Sequence, residues 1–190
     1  MFFALDNATR RRAKSPHELA MVNLMLINLL MLIALLAGSF LQPGSPLADY
    51  RMLGVLAPLC LSLAIIAYSF VRAGGLARQG PWFVAAHWRL ATRRYQILLI
   101  AYAVGASLIG GGWLLSKVQK TAGMQDLMFL ALQRVAIAPV LIALMVLIML
   151  EAGALYQAGR GEAPQSLIKG FPPPPDLPGG ESEFALAESD

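Results

Sequence analysis

Apolar residues gather in four long blocks, and the polar residues fall almost entirely between them. The first block runs from Met21 to Leu41 (MVNLMLINLLMLIALLAGSFL), the second from Met52 to Val71, the third from Tyr95 to Leu115, and the fourth from Leu127 to Leu150. A helix rises 1.5 Å per residue, so about 20 apolar residues cross a hydrocarbon core about 30 Å thick. Each block therefore predicts a transmembrane helix. Pro58 near the start of the second predicts a mild kink, because its missing N–H breaks one rung of the helical ladder. The fourth block carries Gln133 and Arg134 near one end and Pro139 further in, so its hydrocarbon part is placed from Val135 to Leu150. The first block is longer than the apolar stretch of about 7–15 residues in a cleaved signal peptide, and is read as a retained span.

The composition agrees. Hydrophobic residues make up 57% of the 190-residue chain and charged residues 14%, where soluble domains carry about 25% charged residues. The predicted fold is an all-α integral membrane protein, with four transmembrane helices as two antiparallel hairpins. Its parts are a basic cytoplasmic segment at 1–20, a four-helix transmembrane domain at 21–150, and a Pro-rich, acidic cytoplasmic tail at 151–190 that is disordered or ordered by a partner. The two halves share no convincing repeat.

Charge sets the expected orientation. The net charge of +4 comes from 15 Lys and Arg against 11 Asp and Glu, and in a membrane chain such an excess reads first as topology. Arg10, Arg11, Arg12 and Lys14 precede the first span; Arg72, Arg78, Arg89, Arg93 and Arg94 lie between the second and third with no acid among them. The first connection offers Arg51 beside Asp49, and the third Lys117 and Lys120. Both termini and the middle loop are therefore expected inside, in a bacterial inner membrane. The same charges leave no case for nucleic acid. Cys60 is the lone cysteine, which excludes an intrachain disulfide framework, CxxC redox pairs and thiolate metal clusters.

Within the third span Ala103, Ser107 and Gly111 recur every four residues, and Ala101 with Gly105 and Ala106 with Gly110 broaden the small-residue surface. Such surfaces let a second helix approach closely in lipid. Asn28 sits deep in the first span and calls for a hydrogen bond across helices, whereas Asn23 lies near the inner interface. On an α-helix the two asparagines face different directions. In the stretch Pro81–Tyr95, Trp82, Trp88, Arg89, Arg93 and Arg94 suit an interfacial helix, or the start of the third span, in contact with anionic lipid or a partner; Arg78 and Arg134 belong to the same class of contact. Phe171, Pro172, Pro173, Pro174 and Pro175 open a polyproline II spacer ahead of the acidic end, and suit a cytoplasmic partner.

Catalytic candidates are absent: neither HExxH nor GxSxG occurs, and no acidic pair lies at a useful depth. His17 and His87 fall at the inner side, outside the hydrocarbon, and are read as interfacial histidines rather than haem ligands. Met21 with Met25 and Met145 with Met149 are read as gap fillers rather than copper ligands. No intrinsic cofactor is expected, only structural phospholipid. The sequence reading is a noncatalytic integral subunit, or an assembly and stabilising factor, of a larger membrane complex of respiratory, secretion or transport type, with other integral subunits as partners. A small oligomeric transporter or channel is the alternative, and a lipid- or quinone-contacting enzyme subunit the third.

Overall fold

The computed structural model describes residues 1–38, 50–175, 177 and 179–181. The chain is an all-α integral membrane protein with four helical stretches long and apolar enough to span a bilayer: Asn7–Ala37, Met52–Ala77, Trp82–Ser116 and Ala122–Arg160. In order, the elements are β1 (Phe2–Phe3), α1 (Asn7–Val22), a π-helical segment (Asn23–Asn28), α2 (Leu29–Gly38), α3 (Arg51–Gln79), α4 (Trp82–Ser116), α5 (Ala122–Arg160), α6 (Gln165–Gly170) and β2 (Gly179–Glu181). The end of the first predicted span, the first connection, and the acidic end beyond Glu181 lie outside the described residues.

The helices run further than the apolar blocks. The basic segment before the first span is itself helix, capped by Asp6, whose carboxylate accepts from the Thr9 N–H at 3.3 Å. A hydrogen bond from the Thr9 side chain, helped by the Thr9 N–H, holds the Asp6 carboxyl below its usual range, so the cap is in place above the ordinary carboxylate pKa and is lost as pH falls through the lowered one. Ala13, Pro16, His17 and Ala20 are the buried residues of α1, a stripe at i, i+3, i+4 and i+7. The expected middle loop shrinks to Gly80 and Pro81 between α3 and α4. Pro81 lacks the N–H a preceding turn would use, and it can lead into a helix without cost.

The chain divides into two compact units. The first comprises Met1–Asn23, Ala64–Arg94 and Met149–Asp190. Its core packs Phe3, Ala13, Ala73, Phe83, Val84, Trp88, Ala158 and Ala163, with a neighbouring cluster of Ala86, Leu90, Ala154 and Leu167. The six residues from Phe83 to Trp88 are all buried, so the start of α4 is surrounded on every side. The described part of the tail is ordered on this chain: Phe171 stacks on Trp82 with ring centroids 5.9 Å apart, and β2 pairs antiparallel with β1. Enough apolar side chains, Leu167, Ile168, Phe171 and Leu177, punctuate the tail to offset its ordering cost. Gly161 ends α5 at φ 75°, and a Cβ there would lie 2.9 Å from the Phe3 carbonyl oxygen. Only glycine fits such a close approach in a left-handed conformation.

The second unit comprises Leu24–Leu63 and Tyr95–Ile148. Gly105 of α4 lies against α5, where an added Cβ would meet Val140 Cγ2 at 3.0 Å, and Gly112 lies against Leu132. Gly111 has nothing within 4 Å. Gly105→Leu is therefore expected to destabilise the purified chain by about 1–3 kcal/mol through overpacking, while Gly111→Leu leaves it unchanged. Thermal unfolding in mild detergent, followed by circular dichroism, checks the contrast; equal melting of both variants would contradict this packing.

Candidate functional site

The polar groups in the long helices come together in two clusters, one in each unit. In the first unit, His17 of α1, His87 of α4 and Glu151 of α5 are all buried. His17 Nδ1 lies 2.5 Å from Glu151 Oε2, and His17 Nε2 lies 2.9 Å from His87 Nδ1. His87 Nε2 reaches the Glu162 carbonyl oxygen at 3.2 Å. Arg94 Nη1 stands 3.4 Å from Glu151 Oε1 and donates to the Leu150 carbonyl at 2.8 Å. The His87 ring also packs on Phe83 at 4.6 Å between centroids.

Hydrogen-bond direction determines the proton inventory of this chain of groups. A carbonyl only accepts, so His87 Nε2 carries a proton and donates to Glu162. If His87 is neutral, its Nδ1 must accept, and His17 Nε2–H donates to it. His17 Nδ1 and Glu151 Oε2 then need one proton between them, held as imidazolium with carboxylate or as neutral imidazole with carboxylic acid. If instead His87 is the imidazolium, His17 accepts at Nε2 and donates from Nδ1 to the carboxylate. Every arrangement that satisfies all three contacts holds the same number of protons. It is one more than a carboxylate with two neutral histidines would carry.

His17 uses its two ring nitrogens toward two different partners, and the direct nitrogen-to-nitrogen contact with His87 leaves no space for an ion or haem iron between them. Among the described residues no group of three or more His, Cys, Asp and Glu is arranged to hold a metal.

In the second unit, Asn28, Ser62 and Tyr102 form a closed ring. Asn28 Nδ2 donates to Ser62 Oγ at 3.1 Å, and Tyr102 OH donates to Asn28 Oδ1. With the tyrosine proton committed, Ser62 donates to Tyr102 across 2.8 Å. Each member gives one hydrogen bond and takes one. The π-helical segment sets the geometry locally: residues five apart lie about one turn apart on a π-helix, so Asn23 and Asn28, which an α-helix would turn apart, come into line, and both are buried.

Compared with known proteins, the chain matches no family model, no curated protein and no solved structure.

Of the other residues singled out in the sequence, Trp82, Arg89 and Phe171 come together and Arg94 joins the histidine cluster, while the rest are dispersed. Ala103 and Ser107 are exposed on α4, Ser107 donating to the Ala103 carbonyl at 2.8 Å, and Gly111 is half-buried with open space before it. Trp88 is buried edge-on to Tyr68, while Trp82 is half-buried between Phe3 and Phe171. Arg89 lies over the Phe171 ring at 4.0 Å, Arg93 is exposed, and Arg94 joins Glu151. Arg134 is exposed on α5; the Arg78 side chain lies outside what is described. Pro172, Pro174 and Pro175 are exposed, and Pro173 is half-buried.

Sequence reasoning gave His17, His87 and Glu151 no shared role. One signal was present: each stands at the inner end of an apolar block, so the expected topology brings all three to one side. Removing one member of a buried, paired charge leaves the other uncompensated, at a cost of about 3–5 kcal/mol. Glu151→Leu is accordingly expected to destabilise the chain by that amount, and His17→Phe with Glu151→Leu by less than the sum of the two single changes. A double-mutant cycle on thermal or denaturant unfolding measures the coupling; additive losses would show that the two side chains do not act as a pair.

Proposed function

We propose that the chain is a noncatalytic integral membrane subunit, or an assembly and stabilising factor, of a larger membrane complex. Its spans are arranged as two antiparallel hairpins, with both termini on the cytoplasmic face of a bacterial inner membrane. The observation that carries this reading is where the hydrogen-bonding and packing capacity of the spans is left over. The Asn28–Ser62–Tyr102 ring is closed on itself. By contrast, Ala103, Ser107, Gly110 and Gly111 leave one side of α4 uncovered, with nothing within 4 Å of a Cβ at either glycine. Small residues on an uncovered face allow another helix to pack at close range in lipid.

Two further features support contact over transport. Only 17–39% of each apolar window is buried within the chain, which leaves broad surfaces for lipid and neighbouring helices. A transport route would join Asn28, Ser62, Ser107 and a broken glycine segment. Ser107 instead bonds to its own helix, and α4 runs through Gly110, Gly111 and Gly112 without a break. The positive charge ahead of the first span and between the second and third supports the orientation. The exposed prolines after Phe171 supply a stiff, solvated surface to a cytoplasmic partner.

Gentle extraction of the native protein, followed by mass spectrometry of what accompanies it, is expected to recover a stable set of integral membrane partners. The Ser107→Leu and Gly111→Leu double variant should insert at normal level and lose those partners. Recovery of a homo-oligomer alone would favour the transporter reading, and full partner recovery with the double variant would remove this face of α4 as the interface.

A further inference from the structure

In the first unit a cleft of about 490 Å³ opens between α1 and the end of α3, lined by Arg12, Arg72, Gly75, Leu76, Gly80 and Pro81. Both arginines are exposed, and among the described residues no carboxylate pairs with either. Two guanidinium groups facing one cleft repel each other unless an anion lies between them, and a guanidinium presents paired N–H donors that match phosphate oxygens. The wall beside them is bare backbone. Gly74 and Gly75 have nothing within 4 Å of an added Cβ, so a helix that loses about 1 kcal/mol at each glycine relative to alanine gains no internal packing there. The cleft floor is apolar at Leu76, and on the side of α3 that carries Arg72 and Gly75 the surface continues as exposed Tyr68 and Val71.

We propose that this cleft is a binding site for the phosphate of one anionic phospholipid. The headgroup phosphate lies between Arg12 and Arg72, close against the Gly75 backbone. The glycerol rests at Leu76, and the acyl chains leave past Arg72 along exposed Val71 and Tyr68 of α3 toward the apolar block. That continuous apolar path decides between the two sources of a phosphate: a soluble phosphate would have no use for it, whereas a lipid anchored in the bilayer arrives along it. The site differs from diffuse attraction by surface lysines and arginines, because it has a shape that can be filled without changing any charge.

The test uses the full chain, delipidated in mild detergent and offered an equimolar mixture of cardiolipin, phosphatidylglycerol and phosphatidylethanolamine, with retained lipid counted by native mass spectrometry. One anionic lipid should be held in preference to phosphatidylethanolamine. Arg12→Ala with Arg72→Ala should weaken that retention about thirtyfold, from about 1 kcal/mol per basic residue at 1.4 kcal/mol per tenfold. Gly75→Leu keeps every charge and raises helix propensity, and should weaken retention comparably by filling the cleft. Arg11→Ala with Arg93→Ala, exposed positions off the cleft, should leave it unchanged. The proposal is overturned if Gly75→Leu retains lipid as the parent does, if the control pair loses as much as the cleft pair, or if millimolar inorganic phosphate displaces the lipid. The last result would assign the cleft to free phosphate.

Discussion

The contact between His17 and Glu151 is the constraint on which the first unit depends. An ionised carboxylate buried among apolar helices costs several kcal/mol unless it is paired and hydrogen-bonded. Whichever of the pair holds the shared proton, Glu151 is partnered by His17 on one oxygen and has Arg94 near the other. Because His17 comes from α1, Arg94 and His87 from α4 and Glu151 from α5, compensating one charge aligns three helices at one level. His87 then passes the alignment to the tail through the Glu162 carbonyl. Small residues make that closeness possible: Ala13 and Ala20 flank His17 on its stripe, and Ala154 and Ala158 follow Glu151, all almost fully buried.

The second unit meets the same physical demand with neutral groups. In lipid no water satisfies a stray amide or hydroxyl, and cross-helix hydrogen bonds between such groups are each worth about 0.6–2 kcal/mol. A three-membered ring in which each hydroxyl and the amide both give and take a hydrogen bond satisfies those contacts without calling on solvent. The π-helical segment is the local adjustment that turns Asn28 into this ring, at the expense of regular α-helical bonding in the first span. A neutral ring within the apolar stretch and a charged relay where the stretch ends follow one rule, since the cost of an unpaired group rises with its charge.

The four spans were legible in the sequence because length and hydropathy alone decide them, and the deep position of Asn28 was enough to call for a cross-helix bond. Of the helix extensions, the one over Pro81–Tyr95 was open to reading as an interfacial helix or the start of the third span, and the one before the first span was not legible. Residues 7–20 are too rich in arginine to read as a span, yet their buried positions recur with helical spacing once a neighbouring helix is present to receive them, whereas in 81–94 burial runs unbroken from Phe83 to Trp88. The two histidines were missed for a different reason. Each is unremarkable in its own segment, and only the packing of three helices reveals that they share a carboxylate. The tail reads as a spacer by its prolines, although Leu167 and Phe171 are the residues that dock it.

The small residues of α4 now separate into two faces with different fates. Ala101, Gly105 and Gly112 turn inward, where Gly105 and Gly112 admit Val140 and Leu132. Ala103, Ser107 and Gly111 lie about 140° around the helix at 100° per residue; Ala103 and Ser107 are exposed, and among the described residues nothing lies within 4 Å of a Cβ at Gly111. Glycine in a helix interior is costly unless close packing compensates it, and the first face has its compensation within the chain. The second face carries the same cost without an internal return. A lipid chain, being flexible, gains little from a smooth helix surface, whereas a rigid helix gains dispersion contacts along its whole length. The residue pattern therefore favours a protein partner over bulk lipid on that side of α4, while the arginine-lined cleft of the first unit favours lipid over protein.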